Sequence, residues 1–340
     1  MPAELATVLD PAWLDAALDD VASGERVVLV EQVGQSATLA EKVRLRVTIE
    51  QPDGRRRAVA CCVKAHFGGP GLEELLTTEA YAYRDLTPLV PVRSPHAHYT
   101  GIDAATGRAI IVMDDVLADG GTFLGAHHPY PLDIVRDTLG QLARLHAATW
   151  GRREWEARPW LASRIAAMAN RFPVDLLQRL LDDGRGPDLA PELRSAPALH
   201  AAMLRTAALA PTCVIHGDTH SGNVYLDALG QACWLDWQIT QWGHWSVDVS
   251  YHLATVLDVA DRRAHEADLL RHYLAELTAA GADAPSWDAA WQAYALAFTW
   301  GYFLWVITQI SSREVVLLHI PRIGAALTDH DTFLRLGVLG

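Results

Sequence analysis

Cysteine and basic residues are both scarce in this sequence of 340 residues, and each shortage excludes a class of protein. The four cysteines form no CxxC pattern, and their spacing does not match the disulfide framework of a small secreted protein. Lysine and arginine number 28 against 41 acidic residues, and the net charge of −13 argues against binding to nucleic acid, which requires a basic surface. We therefore expect a cytoplasmic protein that does not bind nucleic acid.

Two stretches of the chain lack charge of one or both signs. Residues 1–20 carry five acidic residues and no basic one, so we expect an amphipathic helix there rather than a signal peptide. Residues 289–312 contain no charged residue and are long enough by count to cross a bilayer. Polar residues such as Gln292 and Thr299 dilute this stretch, and a central helix of a helical domain can be apolar on every side. We expect no membrane span.

The sequence has no evident repeat or low-complexity tract, and half of its residues are apolar, so it should bury substantial cores. Alternating and β-branched segments fill the first third of the chain, whereas apolar residues at helical spacing prevail afterwards. The pattern predicts an α+β fold with an antiparallel sheet in its N-terminal part and a mainly helical C-terminal part. Two lobes are expected at this length.

The most informative segment is residues 214–223, Val-Ile-His-Gly-Asp-Thr-His-Ser-Gly-Asn. Asn223 follows Asp218 by five positions, which is the spacing of the protein-kinase catalytic loop His-Arg-Asp-x-x-x-x-Asn. Phosphoryl transfer from ATP needs a carboxylate that orients and deprotonates the acceptor hydroxyl, and a nearby amide oxygen that holds Mg²⁺. One short loop can supply both groups.

A second carboxylate follows a short distance along the chain. Residues 232–235 are an apolar run that ends in Asp236, and residues 227–230 between the two motifs have the composition of a tight turn. A hairpin of two strands would set Asn223 and Asp236 side by side. Two oxygen ligands on separate elements are what fix a magnesium ion against phosphates.

Together these motifs resemble the aminoglycoside phosphotransferase and choline kinase family, the small-molecule branch of the protein-kinase-like fold. The resemblance implies transfer of the γ-phosphate of ATP to a hydroxyl of a small molecule. It makes Asp218 the catalytic base, and Asn223 and Asp236 the ligands of Mg²⁺. The Asp-Trp-Gln sequence of residues 236–238 is closer to the ecdysteroid-kinase-like relatives.

The N-terminal part supplies a candidate phosphate loop. Residues 26–31 are a β-branched run, and after residues 34–38 an alternating pattern resumes through residues 43–49, which predicts a strand, a turn and a strand. The resemblance makes this turn the loop over the ATP phosphates, with Gly34 and Ser36 as candidate nucleotide contacts through backbone N–H groups. Gly34 is the only glycine of the turn, and by itself it would indicate an ordinary hairpin.

A lysine and a glutamate are predicted to act as a pair. Residues 57–64 are an apolar strand that ends in Lys64, the position of the kinase lysine that contacts the ATP phosphates. Residues 72–86 have helical spacing, with Glu79 on the inward face. An inward carboxylate without a cation would cost several kcal/mol, so we expect it to pair with Lys64. The two glutamates at the start of the helix are the less inward alternatives.

The predicted strand of residues 109–113 ends at a candidate adenine site. Met113, Asp114 and Val116 resemble the linker between the lobes of the family, where backbone groups would receive the adenine of ATP. The acidic pair at residues 114–115 could equally form a turn or a helix cap.

The composition becomes helical after this segment. Residues 131–150 form an apolar stripe, on which His146 is more simply a core histidine than a catalyst. The resemblance makes residues 1–115 a nucleotide-binding lobe and residues 116–340 a helical lobe with the catalytic loop and the acceptor site. It also makes Asp248 a helix-capping residue that braces the catalytic loop. Whether the tryptophans of the second lobe form its core or line the acceptor pocket stays open.

Two other functions fit part of the sequence. His216, Asp218 and His220 alternate, so on an extended segment they would share one side and could bind a metal ion together with His244 or Asp248, as in a metal-dependent hydrolase. A catalytically silent kinase-like binding protein is the other alternative, although the joint presence of all the proposed catalytic and ligand residues argues against it. The sequence identifies neither the acceptor nor the oligomeric state.

Overall fold

The computed structural model describes residues 2, 4–18, 21–67 and 72–339. Its strands are β1 (Arg26–Ala37), β2 (Glu41–Glu50), β3 (Arg56–Ala65), β4 (Ala97–Asp103), β5 (Arg108–Asp114), β6 (Cys213–Ile215), β7 (Val224–Leu226), β8 (Ala232–Trp234) and β9 (Gln241–Gly243). Its α-helices are α1 (Leu5–Val8), α2 (Pro11–Ala17), α3 (Glu73–Asp85), α4 (Leu132–Thr149), α5 (Arg153–Glu156), α6 (Ile165–Arg171), α7 (Val174–Leu181), α8 (Ala196–Ala207), α9 (Ser246–Val256), α10 (Val259–Ala279), α11 (Trp287–Leu296), α12 (Phe298–Ile307), α13 (Arg313–Asp329) and α14 (Thr332–Arg335).

The chain divides into two compact units. The first comprises Met1–Leu89, Arg93–Thr122 and Leu226–Gln238, and the second comprises Val90–Val92, Phe123–Tyr225 and Ile239–Gly340. Residues 226–238 thus belong to the first unit, whereas the boundary expected from the sequence, between residues 115 and 116, assigns them to the second part. The roles of the two parts in binding nucleotide and acceptor remain predictions.

The first unit is built on an antiparallel sheet of five strands in the order β1-β2-β3-β5-β4. In β2 the residues Val43, Leu45, Val47 and Ile49 are fully buried while their neighbours are more exposed, as the period of two of a strand requires. With the helices of the second unit, this sheet confirms the predicted α+β fold class.

The turn expected at residues 34–38 was placed wrongly. β1 continues to Ala37, and both Gly34 and Ser36 lie in the strand, where they pair with residues of β2. A register shift precedes Gly34, and the chain reverses only beyond Ala37, where Thr38 N–H donates to the carbonyl of Ala40. An exposed edge strand tolerates polar residues and an irregular register, so polarity here did not mark a turn.

The single N-terminal helix expected for residues 1–20 was also wrong, because two short helices, α1 and α2, occupy the described part. Proline at residue 11 lacks an N–H and can only begin a helix here, and the carboxylate of Asp10 caps α2 by accepting from Ala12 N–H at 2.9 Å. Residues 1, 3, 19 and 20 of the predicted helix lie outside the described residues.

The second unit is mainly helical, and α9 lies at its centre. All eleven residues of α9 are buried, so its polar side chains must find partners inside the protein. The charge-free residues 289–312 form two helices, α11 and α12, that meet at Ala297. Within the part of the chain that the structure describes, no helix has the length and apolar character needed to cross a membrane.

Candidate active site

The loop that follows β6 is held in place by α9. Gly217 has φ +84°, and a Cβ there would lie 2.4 Å from the carbonyl oxygen of Ile239, so only glycine fits. The carboxylate of Asp248 accepts hydrogen bonds from the backbone N–H groups of His216 at 2.7 Å and Gly217 at 2.8 Å. The indole N–H of Trp300 donates to the Gly217 carbonyl at 2.7 Å. These contacts hold the start of the loop through two backbone N–H groups and one backbone carbonyl.

Asp248 therefore braces the loop, as expected, although it does so from within the first turn of α9 instead of capping the helix. It is fully buried, and its third partner is His146, whose Nε2 lies 3.2 Å from the carboxylate. The other ring nitrogen of His146 hydrogen-bonds the hydroxyl of Tyr273 at 2.7 Å. His146 is thus a buried histidine with both nitrogens satisfied, which confirms its interpretation as a core residue.

Asp218 lies in the middle of the loop with its side chain 12% exposed. The hydroxyl of Tyr251 donates to its Oδ1 at 3.3 Å, and Nε2 of His220 lies 3.7 Å from the same oxygen. The Nδ1 of His220 accepts from Gly222 N–H at 2.9 Å, so the ring proton belongs on the Nε2 that faces Asp218. A Cβ at position 222 would lie 2.7 Å from the His220 ring, so glycine is required for this contact.

Asn223 is oriented by the backbone of Asp218. Its Nδ2 donates to the Asp218 carbonyl at 2.8 Å, and the side chain is nearly buried. Because the amide nitrogen has a protein acceptor, the amide oxygen is the atom that can meet a cation. A hard oxygen donor of this kind suits Mg²⁺, so the residue fits the metal that the sequence implies.

The metal-hydrolase alternative receives no geometric support. His216 is fully buried, its Nδ1 accepts from Asp218 N–H at 3.2 Å, and both oxygens of Asp248 bind backbone N–H groups. His244 hydrogen-bonds Ser246 at 2.7 Å. Across residues 2, 4–18, 21–67 and 72–339, no three histidine, cysteine, aspartate or glutamate side chains are placed to share a metal ion.

In the first unit, Lys64 lies between two carboxylates. Its Nζ is 2.5 Å from Oε2 of Glu79 on α3 and 2.8 Å from Oδ1 of Asp236. Lys64 and Glu79 are both buried, so the predicted pair is present, and the two glutamates at the start of α3 are not its partners in this contact. The sequence did not predict the contact of Lys64 with Asp236, because no local pattern links residues so far apart in the chain.

The electrostatics of this group follow from burial and from opposite charge. Burial alone would lower the pKa of Lys64, but the carboxylates of Asp236 and Glu79 outweigh it and hold that pKa above its ordinary value. Burial raises the pKa of Glu79, and the Lys64 cation opposes the rise. Lys42 on β2 lies opposite Lys64 on β3 in the strand register, and its Nζ is 3.8 Å from the other carboxylate oxygen of Asp236.

Asp236 has an uncommon backbone conformation, with φ +66°. A residue other than glycine is rarely left-handed, and such positions concentrate at functional sites. Its side chain is 13% exposed, and its carboxylate is a hard oxygen donor that also fits Mg²⁺. The preceding turn agrees with the predicted hairpin, since Asp227 N–H donates to the Gln231 carbonyl at 2.9 Å.

The candidate adenine segment forms a hydrogen-bonded turn. Met113 and Asp114 end β5, and the Asp114 carboxylate accepts from His96 N–H at 2.7 Å. The carbonyl of Val116 accepts from Gly121 N–H at 2.7 Å, and Asp115 is buried against Arg44 at 2.8 Å. Asp115 therefore has the turn role that the sequence left open, since its Oδ1 also accepts from Leu117 N–H at 3.2 Å, whereas Asp114 belongs to β5. Contact of this segment with adenine stays a prediction.

The chain is similar to a known protein family and to several solved structures. The sequence model of the phosphotransferase enzyme family matches residues 50–298. No curated protein matches the chain. The fold of this chain is similar to that of wild-type aminoglycoside 2'-phosphotransferase-IIIa in a GDP complex. The TM-score is 0.53 and the sequence identity 14%, with 95% of this chain and 98% of that chain covered.

Two further solved structures are similar to the chain. An ethanolamine kinase from Plasmodium vivax has a TM-score of 0.53 and 9% identity, with 98% of this chain and 88% of that chain covered. A choline kinase from Streptococcus pneumoniae has a TM-score of 0.51 and 15% identity, with 89% and 94% covered. At such identities the likeness concerns the fold alone. The family model spans well over half of the sequence, and on that ground the chain belongs to the phosphotransferase enzyme family.

Proposed function

We propose that this protein transfers the γ-phosphate of ATP to a hydroxyl group of a small molecule, with Asp218 as the catalytic base. The observation that carries the proposal is the local geometry of Asp218 and Asn223. The Asn223 amide nitrogen is bound to the Asp218 backbone at 2.8 Å, while the Asp218 carboxylate stays partly exposed. A base and a metal ligand are thus fixed relative to each other within one loop.

The other site residues have roles that suit this reaction. The amide oxygen of Asn223 and the carboxylate of Asp236 are the proposed ligands of Mg²⁺, which when bound would neutralise the charge of the phosphates. Lys64, held by Glu79, is proposed to contact the phosphates of ATP. Candidate contacts to the nucleotide remain at two places in the first unit: Gly34 and Ser36 in β1, and Met113, Asp114 and Val116 at and beyond the end of β5. The GDP complex of aminoglycoside 2'-phosphotransferase-IIIa supports a nucleotide as the phosphate donor.

In the reaction, the acceptor oxygen forms a bond to the γ-phosphorus while the bond from that phosphorus to the β,γ-bridging oxygen breaks. The hydroxyl proton passes to the carboxylate of Asp218, and ADP leaves. Tyr251 orients Asp218 by donating to Oδ1, and Asp248 keeps the loop backbone in place. The buried braces let Asp218 act without reorganising the loop.

The substitution Asp218→Asn tests the proposal. It keeps the shape of the side chain and removes its basicity, so kcat should fall by about three decades or more while Mg-ATP binding is retained. ATP consumption with a panel of hydroxyl compounds and calorimetric titration of Mg-ATP measure the two effects. Asp283→Asn, at an exposed position of the same unit, is the matched control. Turnover of Asp218→Asn near that of the wild type would remove Asp218 from the mechanism.

A further inference from the structure

The surroundings of Asp218 contain aromatic and histidine side chains, three of which have no role in the proposed reaction: His220, Trp305 and His319. The term acceptor cluster is used below for the side chains of Asp218, His220, Tyr251, Trp305 and His319. The ring centroid of His220 lies 5.3 Å from Trp305 and 6.4 Å from His319, and Trp305 lies 4.3 Å from His319. Because His220 and Tyr251 also approach the Asp218 carboxylate, the cluster adjoins the place where an acceptor hydroxyl must bind.

Two members of the cluster have buried polar atoms without a hydrogen-bond partner among the described residues: the indole nitrogen of Trp305 and both ring nitrogens of His319. His319 is fully buried on α13. Leaving a buried polar atom without a partner costs about 1–3 kcal/mol, so such atoms are rare and need an explanation. Other buried histidines of this unit, His146 and His252, have partners on both nitrogens. A bound molecule that both donates and accepts a hydrogen bond would satisfy His319.

The charges around His319 restrict what that molecule can be. Burial lowers the pKa of His319 to about 2, with further lowering by His220 and Arg322, so its ring is neutral at physiological pH. Arg322, three residues further along α13, is buried and donates to the carbonyls of Ala126 at 3.3 Å and Thr255 at 3.0 Å. Those carbonyls carry no net charge; the carboxylate of Asp258 acts to raise the pKa of Arg322, but burial outweighs it. A second cation placed beside His319 would therefore be repelled by Arg322.

Trp305 already packs against two imidazole rings of the cluster. Aromatic rings can hold a quaternary ammonium when the cation lies over the ring face. The ring of Trp305 is tilted by 38° against His319 at 4.3 Å, and His220 meets it nearly edge-on at 75°. Imidazole rings thus already cover part of the indole surface over which an ammonium group could bind.

We propose that the acceptor is an alcohol without a positive charge near its reacting hydroxyl, and that His319 determines this specificity by hydrogen-bonding a neutral polar group of the acceptor. This inference rests on the proposed phosphotransferase function. It separates the chain from the solved relatives whose names indicate cationic acceptors, the ethanolamine and choline kinases.

Matched pairs of acceptors test the charge preference. Each pair has nearly one shape and differs in charge: choline against 3,3-dimethyl-1-butanol, ethanolamine against ethylene glycol, and 2-aminocyclohexanol against cyclohexane-1,2-diol. We expect kcat/KM for the uncharged member to exceed that for the cationic member by at least about tenfold. Equal values within the pairs, or a preference for the cations, would overturn the inference and leave the phosphotransferase reaction intact.

Variants of His319 test its role. With the best alcohol of these pairs, His319→Phe should raise KM for the alcohol about tenfold or more, leave KM for ATP unchanged, and keep or raise Tm, because two buried nitrogens without partners are removed. His319→Gln should recover part of the affinity. His330→Phe is the matched control, since this buried histidine already contacts Glu266 at 3.1 Å, and it should lower Tm without changing KM for the alcohol.

A Tm that rises in His319→Phe with KM for the alcohol within twofold of wild type would show that His319 only packs the core. The proposed function fails on a different result. If Asp218→Asn phosphorylates the same alcohols at the wild-type rate, Asp218 is not the base, whatever the ranking of the matched pairs.

Discussion

The buried lysine of the first unit allows a quantitative prediction. Lys64→Met removes the cation and leaves the carboxylates of Glu79 and Asp236 close together in a buried place. Breaking a buried ion pair from one side typically costs about 3–5 kcal/mol. Because burial already raises the pKa of Glu79, that carboxyl can take up a proton and relieve part of the cost. We therefore expect a loss near the lower limit, about 3 kcal/mol.

The partner substitutions should behave asymmetrically. Glu79→Gln leaves Lys64 with its contact to Asp236 at 2.8 Å, so its loss should be about 1–2 kcal/mol. The double variant Lys64→Met with Glu79→Leu places two apolar side chains at the positions of this pair and should be more stable than Lys64→Met alone. The effects of substituting Lys64 and Glu79 on kcat/KM for ATP should be strongly non-additive, because the two side chains are proposed to act together on the ATP phosphates.

Urea unfolding at pH 7 measures these free energies, with circular dichroism and tryptophan fluorescence as two probes whose transitions must coincide. Arg55→Met is the matched control, because Arg55 is 79% exposed in its ion pair with Asp53 and should change stability by less than about 0.5 kcal/mol. A loss below about 1 kcal/mol for Lys64→Met would refute the reasoning, as would a double variant that is no more stable than Lys64→Met.

Three other outcomes follow from the structure. Asp248→Asn should lower the free energy of unfolding by about 3 kcal/mol and reduce kcat, because it weakens two charge-assisted hydrogen bonds to the loop; unchanged urea curves would contradict this. Burial lowers the pKa of His252 to about 4 from its ordinary value of 6.5. As the pH falls, this histidine therefore takes up a proton in the unfolded chain at a higher pH than in the folded protein. The stability that this histidine contributes is complete above about pH 6.5 and should fall by up to about 3 kcal/mol towards pH 4. Urea unfolding at pH 7, 5.5 and 4 measures the change, and a free energy of unfolding that rises towards pH 4 would contradict the prediction. Removal of divalent metal with EDTA should abolish transfer, and Mg²⁺ or Mn²⁺ should restore it where zinc does not, because the proposed ligands are hard oxygens.

The features that the sequence predicted well are those in which local pattern and burial agree. The apolar run over residues 57–64 became β3, and the helical spacing of residues 72–86 became α3 with Glu79 buried. The pairing of Lys64 with that glutamate followed because an inward carboxylate needs a cation nearby. In such segments each residue is placed by its own neighbours, so little tertiary information is required.

The errors arose where a local signal had two physical meanings. The polar residues around Gly34 were taken as a turn, although an exposed edge strand is equally compatible with them. Proline at residue 11 already indicated a break, but acidic and apolar residues on both sides concealed it. His319 belongs to no motif, and only the packing of α13 shows that it is buried without a hydrogen-bond partner.

Asp236 shows most clearly why a motif does not determine the geometry of its residues. The sequence marks it as a metal ligand, but does not show that its backbone is left-handed or that both of its oxygens face lysines. A left-handed residue other than glycine costs about 1–3 kcal/mol and persists only where its surroundings hold it. Here Lys64 and Lys42 lie opposite each other on adjacent strands and bind the two oxygens of one carboxylate. The strain is therefore sustained by contacts between residues almost two hundred positions apart, and a local preference violated in this way is what the proposed role of Asp236 as a metal ligand leads us to expect.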